Sequence, residues 1–235
     1  MVMGVKEDAR KYKKFAVISA CSFTWLAIST LLMQRDIYSF RVTHDAEDIT
    51  SEEEDIIYQD RQAQIFVFLQ GELYAMLATL KKLTLLLDYS PARSDVTIFS
   101  PLPAGWLYAT LFSLAKRKSK LGDVRFARAG IACEAVMNSD FPLLERAAGG
   151  ETTSGAGLST RELDALLNYY RGRSIKLQAA RCGLADKTLY THRQHGLQKL
   201  FDIQQWLNDA AVTRQQNRRR RACGMRQERA EDQAL

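Results

Sequence analysis

Cysteine is scarce in this 235-residue chain: there are four, at positions 21, 133, 182 and 223, with no CxxC pair and no His/Cys grouping at metal-ligand spacing. Such an arrangement gives no basis for a metal centre, and scattered thiols of this kind suit a reducing cytoplasm. Also missing are a GxGxxG turn, a P-loop and a nucleophile–base pair. Their absence argues against dinucleotide binding, phosphate cradling and covalent catalysis, so the chain is expected to be a non-enzyme without a cofactor. With 46% hydrophobic and 26% charged residues it is neither fibrous nor wholly disordered, and its length allows two small domains.

The positive charge is unevenly spread. Residues 158–235 hold 15 Lys+Arg against 8 Asp+Glu, which leaves 18 against 19 before them in a chain of net charge +6. The C-terminal third therefore carries the cations that a phosphate-binding module needs. One stretch, residues 15–33, runs without a charge for the length of a membrane span, and a membrane-tethered sensor is the reading it would support. Its hydroxyls favour a different reading: a short buried strand, FAVIS, followed by a helix with Phe23, Leu26, Ala27 and Leu31 near helical spacing. A span here would also export the basic C-terminal module.

Strand-like and helix-like patterns alternate over the first part of the chain, as in βα units on a parallel sheet. Strands are expected over 15–19, 37–42, 64–69, 96–100 and 124–128, and helices over 22–33, 45–60, 72–87 and 106–117. This is the content of a small doubly wound α/β domain, assigned to residues 1–146. Residues 147–157, AAGGETTSGAG, read as a flexible linker. An all-α unit follows over 158–212, and residues 213–235, with Arg218–Arg221, read as a basic disordered tail.

Within the all-α unit, Ser159 and Glu162 form a capping box before a helix that buries Leu163, Leu166, Leu167 and Tyr170. Ser174 caps a second helix over 175–181, and a turn at Gly183 leads to a third over 186–200. On that third helix Leu189, His192, Gly196 and Leu200 share the inner face, with His192 expected to be packed and hydrogen-bonded. Lys187, Tyr190, Thr191, Gln194 and Gln198 point elsewhere, with Arg193 at the boundary. Hydrogen-bonding and cationic groups of this kind suit a helix lying in a major groove. Beyond Leu200, the positions Ile203, Trp206, Leu207, Ala210 and Ala211 form a further apolar stripe.

LSTREL at 158–163, Gly172-x-Ser174, Lys187-Thr188-Leu189, His192 and Lys199-Leu200 together resemble the LuxR-type helix-turn-helix without a gap. The resemblance implies that Lys187, Thr188, Tyr190, Thr191, Arg193 and Gln194 approach bases or phosphates, that Lys199 contacts the DNA backbone, and that a fourth helix on the Ile203 stripe pairs two domains. The chain departs from the pattern at Leu177-Gln178, usually Glu-Ile, at Cys182, usually Leu, and at Ala185, usually Ser. The last removes a helix cap worth about 1 kcal/mol unless Asp186 replaces it.

Such domains often follow a receiver, itself doubly wound. A receiver needs acids after its first strand and an acceptor Asp at the end of its third. Here those places hold Ala20-Cys21-Ser22 and Leu69; Ser100 is retained and Arg128 replaces a Lys. No aspartyl phosphate is therefore expected, since Glu72, the nearest acid, lies beyond Gly71. A degenerate receiver joined to this helix-turn-helix is similar to the auxiliary regulators, such as RcsA and BglJ, that pair with RcsB. Trp106, Leu107, Tyr108 and Leu111 lie on the helix where receivers pair, at least half of them expected in the domain's own core. The resemblance implies a cytoplasmic bacterial transcription regulator that binds promoter double-stranded DNA, as a homodimer or as a heterodimer with an RcsB-like protein, without its own phosphorylation. The alternative within signalling is a ligand- or redox-responsive LuxR-type regulator sensing through Cys21 or Cys133.

Overall fold

A computed structural model describes residues 15–34, 39–42, 64–69, 72–89, 95–131, 135–136, 143–144, 157–205 and 208. Short runs of branched and aromatic residues form β1 (Phe15–Ser19), β2 (Ser39–Val42), β3 (Gln64–Phe68), β4 (Asp95–Ser100) and β5 (Val124–Arg128), with a two-residue β6 (Leu143–Leu144). Their order in the sheet is β2-β1-β3-β4-β5-β6. All pairs are parallel except β5 with β6, and the register sets Ile18 beside Val67 and Val67 beside Ile98. Helices α1 (Ser22–Met33), α2 (Leu73–Tyr89) and α3 (Ala104–Leu114) follow β1, β3 and β4, and a 3₁₀ turn (Lys118–Asp123) leads into β5.

Because successive side chains leave a strand on opposite faces, the sheet has two cores. Ala16, Ile18, Ile65, Val67, Val96, Ile98 and Phe126 pack with the apolar sides of α2 and α3. Phe15, Val17, Phe66, Phe68 and Phe99 pack with Ile28 and Leu32 of α1. Burial on both faces is why these strands read as continuous apolar runs in the sequence. On the α1 side the rings of Phe68 and Phe99 stack at 4.8 Å between centroids, and Phe66 meets Phe99 edge-on at 6.0 Å.

The α/β architecture of the N-terminal part matches expectation, with differences at the margins. The uncharged run 15–33 is divided between β1 and α1, and no helix among the described residues is long and apolar enough to cross a membrane. The sheet gains an antiparallel edge strand, β6, that two residues are too few to announce. Helix α3 begins at Ala104 and stops at Leu114, where Ala115 turns to extended backbone, and the segment through Arg117 continues as a 3₁₀ turn. Trp106, Leu107 and Leu111 are buried in the domain's own core and Tyr108 is half-buried. The expected acidic helix over 45–60, most of the linker, Cys133 and the tail 213–235 lie outside the described residues.

The C-terminal helices are α4 (Thr160–Tyr170), α5 (Ile175–Cys182) and α6 over residues 186–205. The expected capping box is present: the Ser159 backbone N–H donates to Glu162 Oε2 at 2.8 Å, and the Glu162 N–H donates to Ser159 Oγ at 3.3 Å. A residue expected at the DNA backbone completes this node. Lys199 Nζ donates to both carboxylate oxygens of Glu162, at 3.1 and 2.8 Å, and to the Gly157 carbonyl at 3.0 Å. Helix α6 passes close to α4 at Gly196, where a Cβ would sit 2.8 Å from Cδ1 of buried Leu166. Rather than breaking after Leu200, α6 continues through residue 205 and buries Ile203; Trp206, Leu207, Ala210 and Ala211 lie outside the described residues.

The two halves share one apolar cluster, in which Leu158, Leu163, Leu167, Leu200 and Ile203 join Leu77, Leu80, Leu107 and Leu111. Polar contacts register the junction: Leu158 N–H to Thr110 Oγ1 at 3.1 Å, Lys81 Nζ to Asp164 Oδ1 at 2.7 Å, and Arg171 Nε to the Tyr74 hydroxyl at 2.9 Å. Gly157, assigned above to the linker, lies against α3 so closely that a Cβ would fall 2.3 Å from the Thr110 nitrogen.

Burial alone would raise the Glu162 carboxyl; the Lys199 hydrogen bond, then the bonds from Ser159, outweigh it and hold the group below its ordinary value of 4.5. A depressed carboxylate contributes stability that is complete above its unfolded value and lost as pH falls through the folded one. Glu162→Gln should therefore lose about 1.5–3 kcal/mol at pH 7, the scale of hydrogen bonds to a charged group. The gap from the parent should narrow below pH 4.5 in denaturant titrations across pH 7 to 3. A gap constant over that range would show that the pair does not stabilise the fold.

Candidate nucleic-acid interface

The third helix owes its position to a local chain of caps and turns. Ser174 Oγ accepts from the Leu177 N–H at 3.3 Å and starts α5. Gly183, at φ 63°, ends it in the left-handed conformation that glycine adopts without strain, and the Leu184 N–H bonds to the Ala179 carbonyl at 3.0 Å. Ala165, Ala179 and Leu189 then close a small core, with half-buried Ile175 against it. Small residues let the three helices approach closely. Ala185 stands just before α6 with no side-chain cap to offer, and Asp186 follows in the first turn, where a carboxylate favours the positive helix end.

With Leu189, Gly196, Leu200 and Ile203 buried, the opposite side of α6 is fixed. Lys187, Thr188, Tyr190, Thr191 and Gln194 are all exposed there, and His195 and Gln198 extend the row. From 187 to 198 the row covers about 16 Å at 1.5 Å per residue, three helical turns. Two of its contacts pre-order it: Gln194 Nε2 donates to the Tyr190 hydroxyl at 2.9 Å, and Thr191 Oγ1 to the Lys187 carbonyl at 3.0 Å. The surface offers a cation, hydroxyls and amides in a single strip. Such groups can donate to phosphate oxygens and to base edges without a further partner.

Two residues of the expected set lie apart from this strip. Arg193 is half-buried, its guanidinium 4.8 Å from the centre of the Tyr169 ring, and its Nε and Nη2 are buried without a hydrogen-bond partner among the described residues. Lys199 is held by Glu162 and Gly157. Both therefore pack α6 onto α4 and do not share the outward face. His192 is half-buried as expected, but its Nε2 has no hydrogen-bond partner among the described residues, so packing and not bonding holds it. Sequence reasoning passed over Lys176 and Arg181, both exposed on α5, and exposed His195. Helical spacing alone could have found them, because they lie on turns flanking the buried Ala179 and Gly196. Tyr170, expected on the inner side of α4, is exposed instead, and beside Tyr169 partial desolvation, then the neighbouring phenol, push its hydroxyl up.

At the carboxyl edge of the sheet the chemistry is apolar and hydroxylic. Ser19 Oγ accepts from the Cys21 N–H at 3.1 Å, and Leu69 is buried with its N–H on the Phe99 carbonyl at 2.9 Å. Ser100 Oγ accepts from the Leu102 N–H at 3.1 Å. Glu72, exposed, opens the first turn of α2, and Arg128 is exposed at the end of β5. Among the described residues no grouping of His, Cys, Asp or Glu could hold a metal ion.

No family model matches the chain, and no curated protein matches it. Among solved structures it is similar to RcsB from Salmonella enterica serovar Typhimurium bound to promoter rprA in the presence of phosphomimetic BeF3⁻, with a TM-score of 0.44 and 15% identity over 80% of this chain and 92% of that one. It is similar also to RcsB in a structure of two dimers bound to two parallel DNAs, at a TM-score of 0.31 and 15% identity over 80% and 91% of the two chains. A further RcsB–DNA complex gives 0.30 and 14% over the same shares. Scores this low say nothing of function, and what the chain binds must be decided by its own surface.

Proposed function

We propose that this protein is a DNA-binding transcription regulator that lays α6 in the major groove and acts as a dimer. The observation that carries the proposal is the exposed row Lys187, Thr188, Tyr190, Thr191 and Gln194, borne on a helix whose other side is fully committed to packing. An α-helix fits the major groove, and amide, hydroxyl and ammonium groups are the ones that discriminate base edges there. The excess of Lys and Arg over Asp and Glu after residue 157 adds sequence-independent attraction to phosphate. Arg193 and Lys199 belong to the architecture that presents the row, a role that differs from direct contact.

The N-terminal domain serves in this account as a pairing surface, toward a second copy or toward another LuxR-type regulator such as an RcsB-like protein. Support comes from the ends of β1 and β3, where Ser19, Cys21 and Leu69 supply no carboxylate for phosphorylation or for a metal. Regulation would then depend on the partner and not on an aspartyl phosphate.

Two measurements test the proposal. Against a duplex selected from random sequence, Lys187→Ala with Gln194→Ala should weaken binding about 10- to 100-fold and reduce the salt slope by about one, with the circular dichroism spectrum unchanged. Retained affinity and an unaltered slope would remove α6 from the interface. Incubation with acetyl phosphate and Mg²⁺ should leave the intact mass of the chain unchanged, whereas an added phosphate on an N-terminal peptide would overturn the claim of phosphorylation independence.

A further inference from the structure

The exposed row of α6 is not chemically uniform, because several of its groups are already engaged within the helix. Thr191 gives its one hydroxyl proton to the Lys187 carbonyl at 3.0 Å and has no donor left for a base. Gln198 gives Nε2 to Asp202 Oδ1 at 2.9 Å, which places a carboxylate beside it. Lys187 carries donors and no acceptor, so it suits phosphate oxygens or the O6 and N7 acceptors of guanine. Gln194 differs from all three. Its Nε2 donates one hydrogen to the Tyr190 hydroxyl at 2.9 Å and keeps a second, while its Oε1 accepts no hydrogen bond from the described residues.

A planar amide with one donor and one acceptor free is the complement of a single base edge. In the major groove adenine shows an N7 acceptor beside an N6 amine, and a glutamine amide meets both at once. Guanine presents two acceptors there, thymine one acceptor and cytosine one donor, so each satisfies only half of the amide. The contact with Tyr190 adds orientation. Residues 190 and 194 are neighbours one turn apart on the helix surface, both exposed, and the phenol holds one end of the amide before DNA arrives. A long polar side chain loses rotamer freedom when it binds, and this contact removes part of that freedom in advance.

Granted α6 in the major groove, as proposed above, we infer that Gln194 selects adenine through N6 and N7, and that Tyr190 is the positioning residue that holds its amide for that contact. This rests on the proposed function and adds the base that the helix selects. From 187 to 194 the helix axis advances about 10 Å at 1.5 Å per residue, about three base steps along the duplex. Lys187 therefore meets a different part of the DNA, and its contribution is separable from that of Gln194.

Selection of bound duplexes from random sequence, by the full chain and by Gln194→Ala, tests the assignment. The parent should enrich adenine at one position of the half-site, and Gln194→Ala should lose that preference while keeping the others. Replacing that adenine by 7-deazaadenine, which lacks the N7 acceptor, should weaken the parent about tenfold and leave Gln194→Ala unchanged. Tyr190→Phe keeps the ring and should bind the adenine duplex, but with the penalty for 7-deazaadenine clearly reduced. A consensus identical for parent and Gln194→Ala, or a parent indifferent to 7-deazaadenine, would overturn the adenine contact. The full penalty retained in Tyr190→Phe would remove Tyr190 from it. Lys187→Ala distinguishes this failure from that of the proposed function. If Lys187→Ala binds every sequence more weakly with a lower salt slope while the Gln194→Ala consensus is unaltered, α6 stays in the groove and only the adenine contact falls. If neither variant changes affinity or consensus, α6 is not the reading helix and both fall.

Discussion

The contact on which the C-terminal half turns is the partly buried ion pair of Lys199 with Glu162. It ties together three parts of the chain: the first turn of α4 through the capping box, the segment entering α4 through the Gly157 carbonyl, and the fourth turn of α6 through the lysine itself. Charges so placed are expensive to desolvate, and what makes the node stable is that the Glu162 oxygens are met from two sides. Its structural consequence is rotational. With Lys199 drawn inward and Gly196 allowing close approach to Leu166, α6 can present only the Lys187–Gln194 strip to solvent.

The same node reaches the N-terminal domain. Gly157 lies on α3, Leu158 bonds Thr110, and the leucines of α4 and α6 share a core with α2 and α3. The α/β domain is thereby joined to the C-terminal helices over a continuous apolar contact, with the Lys81–Asp164 pair at its side. Its sheet brings aromatic and hydroxyl groups to the carboxyl edge, where Phe68 and Phe99 stack and Leu69 is buried. Among the described residues at that edge, Ser19, Cys21, Leu69 and Ser100 carry no carboxylate.

How much of this was legible in the sequence depended on the range of the interactions. Strands β1, β3, β4 and β5 were readable because both faces are buried, and the capping box at Ser159 and Glu162 because it is a local hydrogen-bond exchange. Edge strand β6 and the 3₁₀ turn before β5 were not, being too short to carry a period. The largest discrepancy concerns long cations. Arg193 and Lys199 lie at the edge of the apolar stripe, where spacing cannot say whether a flexible side chain turns out to solvent or in toward Tyr169 and Glu162. Asp164 and Lys81 are equally silent, since their pairing spans 83 positions.

The central claim, that the exposed strip of α6 reads DNA, is tested most directly by placing a photo-crosslinking amino acid at the Tyr190 position, with the Phe112 position on α3 as the control. Irradiated with a duplex selected from random sequence, the chain should crosslink to DNA from position 190 and not from position 112. Crosslinking from 112 alone, or from neither while the duplex remains bound, would contradict the account and place the DNA on another face.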